Sequence, residues 1–218
     1  MSHNDSVTMP HPRSKVQSMT SHELSTTTKT MRNVSFAVVD FETTGLNPEI
    51  DRIVQLAAVI VNGDGDIIDS FDTIVKPENP DEYQHGAEHI HGISAEQVSG
   101  GMPLRIALKK LWDISAGNVF TAHNAQFDLG FLHAESERVG INDHVEVHID
   151  TLELSRRTTG ADNTRRHNLF ALCEHYGIER DKVHDAKSDA TATAQLLMHL
   201  MKEIGVDTPD QVSELFAP

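Results

Sequence analysis

Cysteine is nearly absent from this chain: Cys173 stands alone among 218 residues. No intrachain disulfide can form, which points to a reducing, cytoplasmic interior. Long apolar runs are missing too. The longest, IVQLAAVIV at 53–61, has the length of a strand, so no membrane association is expected. Positive charge is scarce, with 18 Lys and Arg against 33 Asp and Glu and a formal net charge of -15. That excludes a general duplex-coating protein, which needs a basic surface. It leaves room for a nucleic-acid enzyme, because carboxylates that hold cations count as negative in the same sum.

What is present divides into a tail and one domain. Residues 1–33 are rich in Ser and Thr, lack periodicity and read as a disordered N-terminal tail. From residue 34 the pattern predicts strands at 34–41, 53–61 and 66–75, the last two joined by the hairpin signal NGDGD. Ser94 and Gln97 are spaced as a capping box for a short helix, and Pro103 opens a longer one bearing Leu104, Leu108, Leu111 and Trp112. NVFTAH at 118–123 predicts a strand, Asn124 a cap for a helix running to about Arg138, and VEVHID at 145–150 another strand. Helices follow near 151–157, 168–176 and 186–202, with a weaker one at 209–216. The expectation is a single α/β domain over 34–202 with a mainly antiparallel front half, then a short C-terminal tail, 203–218.

The segment VVDFETTGL, 38–46, ends an apolar run on two acids. Side chains alternate across a strand, so Val34, Phe36, Val38, Asp40 and Glu42 share one face. Asp128 falls on the helical stripe of Phe131, Leu132 and Val139, and Asp189 on that of Thr193, Leu196, Leu197 and Leu200. Four acids thus point at the core from three elements. Each would cost several kcal/mol there unless paired or bound to metal. No Lys or Arg occupies those stripes, so a hard divalent cation, Mg2+ or Mn2+, is the expected partner; two ions would balance four charges. His184 lies five positions before Asp189. With Asp185 as N-cap it would sit in the preceding loop, overhanging the acids as a proton acceptor.

DFETTGL, HNAQFDLGFL and HDAKSDATATAQLL, in that order over about residues 34–201, resemble the three motifs of the DEDDh 3′–5′ exonucleases, and within them the proofreading epsilon subunits of bacterial DNA polymerase III. The resemblance implies an RNase H-like mixed β-sheet flanked by helices and stepwise release of nucleoside monophosphates from a 3′ end by a two-metal mechanism. It assigns catalysis to Asp40, Glu42, Asp128, His184 and Asp189, with the four acids as metal ligands and His184 as general base. It also places Thr43 and Leu46 against the terminal nucleotide, with IHGI at 90–93, and hence His91, near the same pocket. Asn124 reads either as substrate contact or as helix cap, and Phe127 either as substrate contact or as core.

The implied partner is single-stranded DNA or a frayed 3′ end, with RNA as the alternative substrate. A non-catalytic polymerase-associated adaptor is the alternative of another class. Only about seventeen residues follow the third motif's helix, without a recognisable polymerase tether, so a free-standing exonuclease, or one recruited by other contacts, is expected. Arg156, Arg157, Arg165, Arg166, Lys182 and Lys187 are candidates to steer a phosphate backbone. His85, His89 and His91 lack the spacing of a zinc site.

Overall fold

The computed structural model describes residues 30–79, 82–142, 145–159 and 166–217. Most of the expected tail, and Arg165, lie outside the described residues. The last residues assigned to the tail, Met31–Asn33, form a 3-10 turn whose Met31 packs on the core.

Six strands make one sheet: β1 (Ser35–Thr43), β2 (Ile53–Asn62), β3 (Ile67–Lys76), β4 (Met102–Pro103), β5 (Val119–Ala122) and β6 (His148–Asp150), in the order β4-β3-β2-β1-β5-β6. The first three are antiparallel, while β5 and β6 continue the sheet in parallel beyond β1. Its helices are α1 (Glu88–His91), α2 (Ala95–Ser99), α3 (Leu104–Ser115), α4 (Ala125–Val139), α5 (Thr151–Thr159), α6 (Leu169–Tyr176) and α7 (Ala186–Ile204). A 3-10 helix, Pro209–Leu215, closes the described chain, tighter than the α-helix the sequence suggested.

Helices cover both faces, and this explains the unbroken apolar run of β2, every residue of which is buried. On one face Phe36 and Val38 of β1 pack with Leu154 of α5, Leu172 of α6 and Leu196, Leu197 and Leu200 of α7. On the other, Val39 and Phe41 pack with Leu104, Leu108 and Leu111 of α3 and Phe131 and Leu132 of α4. Each fully buried Leu or Phe contributes roughly 1.5–3 kcal/mol, which fixes the two layers on the sheet.

The capping box of α2 is formed: Gln97 N–H donates to Ser94 Oγ at 3.2 Å, and Ser94 N–H to Gln97 Oε1 at 2.8 Å. Asp185 caps α7 as expected, accepting from Ser188 N–H at 3.2 Å. Two expectations change. Of VEVHID only His148–Asp150 pairs, since the partner strand β5 is itself four residues long. Asn124 stands at the cap position of α4, but its side chain makes no cap hydrogen bond. Its backbone is left-handed, φ 67°, and its N–H donates instead to Asp150 Oδ1 at 3.0 Å.

The outer edge is thinly covered. β4 pairs with β3 only at Val75 and Lys76. The remainder of β3 exposes Ile67 and Ile68 beside Asp69 and Asp72.

Candidate active site

β1 delivers Asp40 and Glu42 to the C-terminal end of the sheet, on the face that α7 covers. Opposite Asp40 in the ladder stands Ala57, fully buried. This small side chain, with Ala186 and Ala190 on α7, gives the carboxylates room. Further along, the register of β1 and β2 slips between Glu42 and Thr43, a bulge beside the site beyond which pairing resumes at Thr43 and Ile53. Asp189 lies in the first turn of α7 and Asp128 in the first turn of α4. Helix N-termini carry free N–H groups and positive partial charge, so both acids sit where a helix best tolerates them.

One ligand atom each from Glu42, His184 and Asp189 come within 4.8 Å of one another. Glu42 and Asp189 are buried, whereas His184 is exposed in the loop before α7, on a left-handed backbone with φ 55°. Burial pushes the Glu42 carboxyl up to about 7, helped by the charges of Asp189 and Asp185. Asp40 is driven well above the usual carboxylate range by burial, with Asp128, Asp189 and Glu42 adding repulsion. Asp128 is raised by burial above all, although its own backbone N–H and that of Phe41 hold part of its charge. Asp189 is raised by burial despite an opposing cation. Four acids held this way form a site short of positive charge, and hard oxygen donors beside one imidazole suit a divalent ion.

The opposing cation is Arg180, absent from the stripes considered in the sequence because it enters from the loop between α6 and α7. Its Nε donates to Asp189 Oδ1 at 3.1 Å and its Nη2 donates to the same oxygen. The demand for positive charge was legible; the position of its donor was not. Asp150 is a second omission. It is buried at the end of β6, holds Asn124 N–H and Leu152 N–H, and adds to the repulsion at Asp128.

The remaining candidates separate by exposure. Leu46 is 85% exposed just beyond the acids. Thr43 is buried and its hydroxyl donates to Gly45 O at 2.6 Å, tightening the turn. Gly86 seats the loop before α1 on this turn, since a Cβ there would lie 2.4 Å from the Thr44 carbonyl oxygen. His91 is turned inward: it is 2% exposed, its Nε2 contacts Gly86 O and its Nδ1 accepts from Ile93 N–H. Its neighbour Ile90 in α1 is exposed. Phe127 is half-buried, its ring 4.9 Å from that of Phe131, so core packing accounts for part of it. His123 is pushed down to about 4 by burial and its Nδ1 lies 2.9 Å from the Thr151 hydroxyl. Of the steering candidates, Lys187 pairs with Asp72 at 2.8 Å, Lys182 with Asp185 at 3.5 Å, and Arg157 donates to Glu214 O at 2.9 Å. Arg156 and Arg166 are exposed.

A mixed sheet whose central strand ends in acids, met by acids from two flanking helices and a loop histidine, defines an RNase H-like nuclease. Comparison with known proteins agrees. The chain belongs to the exonuclease family described by the RNase T model, which matches residues 37–197. It is 34% identical over 173 residues to the PolC-type DNA polymerase III of Listeria welshimeri, covering 79% of this chain and 12% of that one. The PolC-type enzyme of Thermotoga petrophila is 32% identical over 186 residues, covering 84% and 13%. The chain therefore spans about an eighth of the length of these relatives. Among solved structures, the nuclease domain of the DEDDh member 3′hExo bound to rAMP superposes with a TM-score of 0.68 at 20% identity, covering 80% of this chain and 94% of that one. Escherichia coli exonuclease I in complex with a dT13 oligonucleotide gives 0.68 at 21% identity, covering 79% and 42%. Among the described residues no helix is long and apolar enough to cross a membrane.

Proposed function

We propose that residues 34–202 form a 3′–5′ exonuclease domain that hydrolyses DNA from its 3′ end and releases nucleoside monophosphates. Asp40, Glu42, Asp128 and Asp189 would hold two divalent ions, Mg2+ or Mn2+. The observation that carries this reading is the convergence of Glu42, His184 and Asp189 within 4.8 Å, in a site whose carboxyls are all pushed up by burial first and in part by one another. When bound, such ions polarise the scissile phosphate and make water a better nucleophile.

The chain's own residues supply the rest. His184 takes the proton of the attacking water at its ring nitrogen: it is exposed, beside the acids, and an imidazole nitrogen can accept a proton. His123 is unsuited to that role, being kept neutral by burial and turned to Thr151. Leu46 and Ile90, both exposed and apolar, are placed to stack on the terminal base without regard to its identity. The Thr43 backbone, Asn124 and Phe127 line the approach.

DNA is favoured over RNA because the relatives above 30% identity are DNA polymerases, whereas the structural neighbours named for RNA are near 20%. A single-stranded or frayed 3′ end is the proposed partner. Buried Cys173, without a second cysteine to pair with, supports a cytoplasmic setting. The adaptor reading loses because four strained carboxyls lower stability and bring a pure binding module nothing in return.

The test uses 3′-labelled single-stranded DNA, a duplex with a 3′ mismatch, and RNA of the same sequence, each with Mg2+ or EDTA, and with Asp40→Ala as control. Mg2+-dependent release of mononucleotides from DNA, lost in the variant, is the expected result. Preference for RNA would move the chain to the ribonuclease alternative, and no release from any substrate would sink the enzyme.

A further inference from the structure

We propose that Arg180 is the counter-ion of the metal-free site, and that its guanidinium and a divalent ion compete for the same oxygen of Asp189. This rests on the reading of Asp189 as a metal ligand.

The argument begins with that oxygen. Asp189 Oδ1 accepts two N–H groups, from Nε and Nη2 of Arg180. A carboxylate oxygen offers two lone-pair sites, so both are filled. The two side chains are each 9% exposed, so water has little access with which to replace either partner. A divalent ion arriving at Oδ1 therefore meets an occupied acceptor and a fixed positive charge, and binds there only as the guanidinium leaves.

The chain is built to permit that exchange. Arg180 belongs to the stretch between Tyr176 and Ala186, which has no regular backbone ladder, whereas Asp189 is fixed in the first turn of α7. The base of the stretch is anchored independently: Ile178 N–H donates to Cys173 O at 2.9 Å, and Lys182 N–H to Ser188 Oγ at 3.2 Å. Arg180 can thus swing without unravelling either helix. Its charge is also felt beyond Asp189, since it draws Asp40 and Glu42 down against their burial. One guanidinium in place of two ions keeps the empty site folded but leaves it short of charge, a condition that favours exchange for a divalent ion.

The experiment is Mn2+ titration calorimetry on the full chain, with thermal unfolding in EDTA and in saturating Mg2+, for wild type, Arg180→Gln and Arg180→Lys. Competition predicts that Arg180→Gln binds Mn2+ about tenfold tighter, while unfolding several degrees lower in EDTA; Mg2+ should narrow that gap. Arg180→Lys keeps the charge and loses the two-pronged grip, so it should also bind Mn2+ more tightly than wild type. If Arg180→Gln fails to fold, Arg180→Lys alone decides. Unchanged or weaker Mn2+ binding in the variants overturns the proposal. So does tighter binding in Arg180→Gln with wild-type affinity in Arg180→Lys, which would mark a distant field effect. Absence of any Mn2+ heat in wild type would instead strike the metal-ligand reading itself, and the competition with it.

Discussion

Gln55 on β2 stands opposite Glu42 on β1, and its side chain reaches past the sheet to the start of α7. Its Oε1 accepts Ala186 N–H at 3.2 Å, and its Nε2 lies 3.5 Å from Asp185 Oδ2. One amide therefore ties β2, the partner of the strand that carries two of the acids, to the start of the helix that carries a third. Gln55→Leu leaves the buried Ala186 N–H without a partner, which costs about 1–3 kcal/mol. We expect a lower urea midpoint together with a fall in 3′ release that exceeds the loss of folded protein. A rate per folded molecule equal to wild type would show that Asp189 is positioned without it.

Asp40 should trade stability for activity. Its charge is opposed by burial and by Asp128, Asp189 and Glu42. Asp40→Asn keeps the shape and removes the repulsion, so the metal-free variant should unfold at higher denaturant than wild type, by on the order of 1 kcal/mol. Hydrolysis should drop by at least about a thousandfold if the residue holds a metal ion. A variant both less stable and fully active would place Asp40 among ordinary structural acids.

The same electrostatics gives a pH dependence with a definite sign. Glu42 rises from its ordinary 4.5 to about 7 on folding, through burial first and the neighbouring Asp189 and Asp185 next. Lys182 and Arg180 oppose the shift without cancelling it. Between these two values the folded chain holds a proton that the unfolded chain has released. Stability of the metal-free protein should therefore fall as pH climbs from about 4.5 to about 7, then level off, with Glu42 contributing on the order of 2 kcal/mol to the fall. Saturating Mg2+, which prefers the ionised acids, should flatten or invert the trend. Thermal unfolding from pH 5 to pH 8, with EDTA or Mg2+, measures both arms.

Glu135 is wholly buried on α4 and takes Arg52 Nε at 3.0 Å, Arg52 Nη2 at 3.1 Å and the Ile53 N–H at 3.1 Å. Arg52 donates in addition to Glu78 O at 2.9 Å. The pair locks the start of β2 to the helix that bears Asp128. Glu135→Ala strands a guanidinium that is 5% exposed, at a cost of about 3–5 kcal/mol. A chemical denaturation curve should show that loss; a change below about 1 kcal/mol would mean Arg52 finds another partner.

Local rules carried the front of the molecule. Alternation marked β1, NGDGD set the β2–β3 hairpin, and Ser94 and Asp185 announced their helices because a cap is read from residues three or four apart. The acids were legible for the same reason, each standing in a periodic apolar row whose direction in space follows from its period. What escaped depended on partners far along the chain. Arg180 lies on no row, so only the folded loop reveals where it points. Asn124 looked like a side-chain cap, but its backbone is left-handed and held by Asp150, twenty-six positions on, and its side chain makes no cap bond. His91 looked available because nothing in IHGI says that Gly86 and Ile93 occupy both of its nitrogens. Arg52 and Glu135, eighty-three positions apart, carried no signal of their union.

The thin cover over β3 has a bearing on how copies of this chain meet. Among the described residues no strand pairs with the outer edge of β3 away from Val75 and Lys76, and Ile67 and Ile68 are exposed there. Such an edge is a template on which a second molecule could lay its own β3. Asp69 sets a charge along it, and Asp72 with its partner Lys187 sets an ion pair, and polar groups of this kind disfavour the addition of another strand. Charge set on a thinly covered border thus works against the edge-to-edge stacking of neighbouring copies.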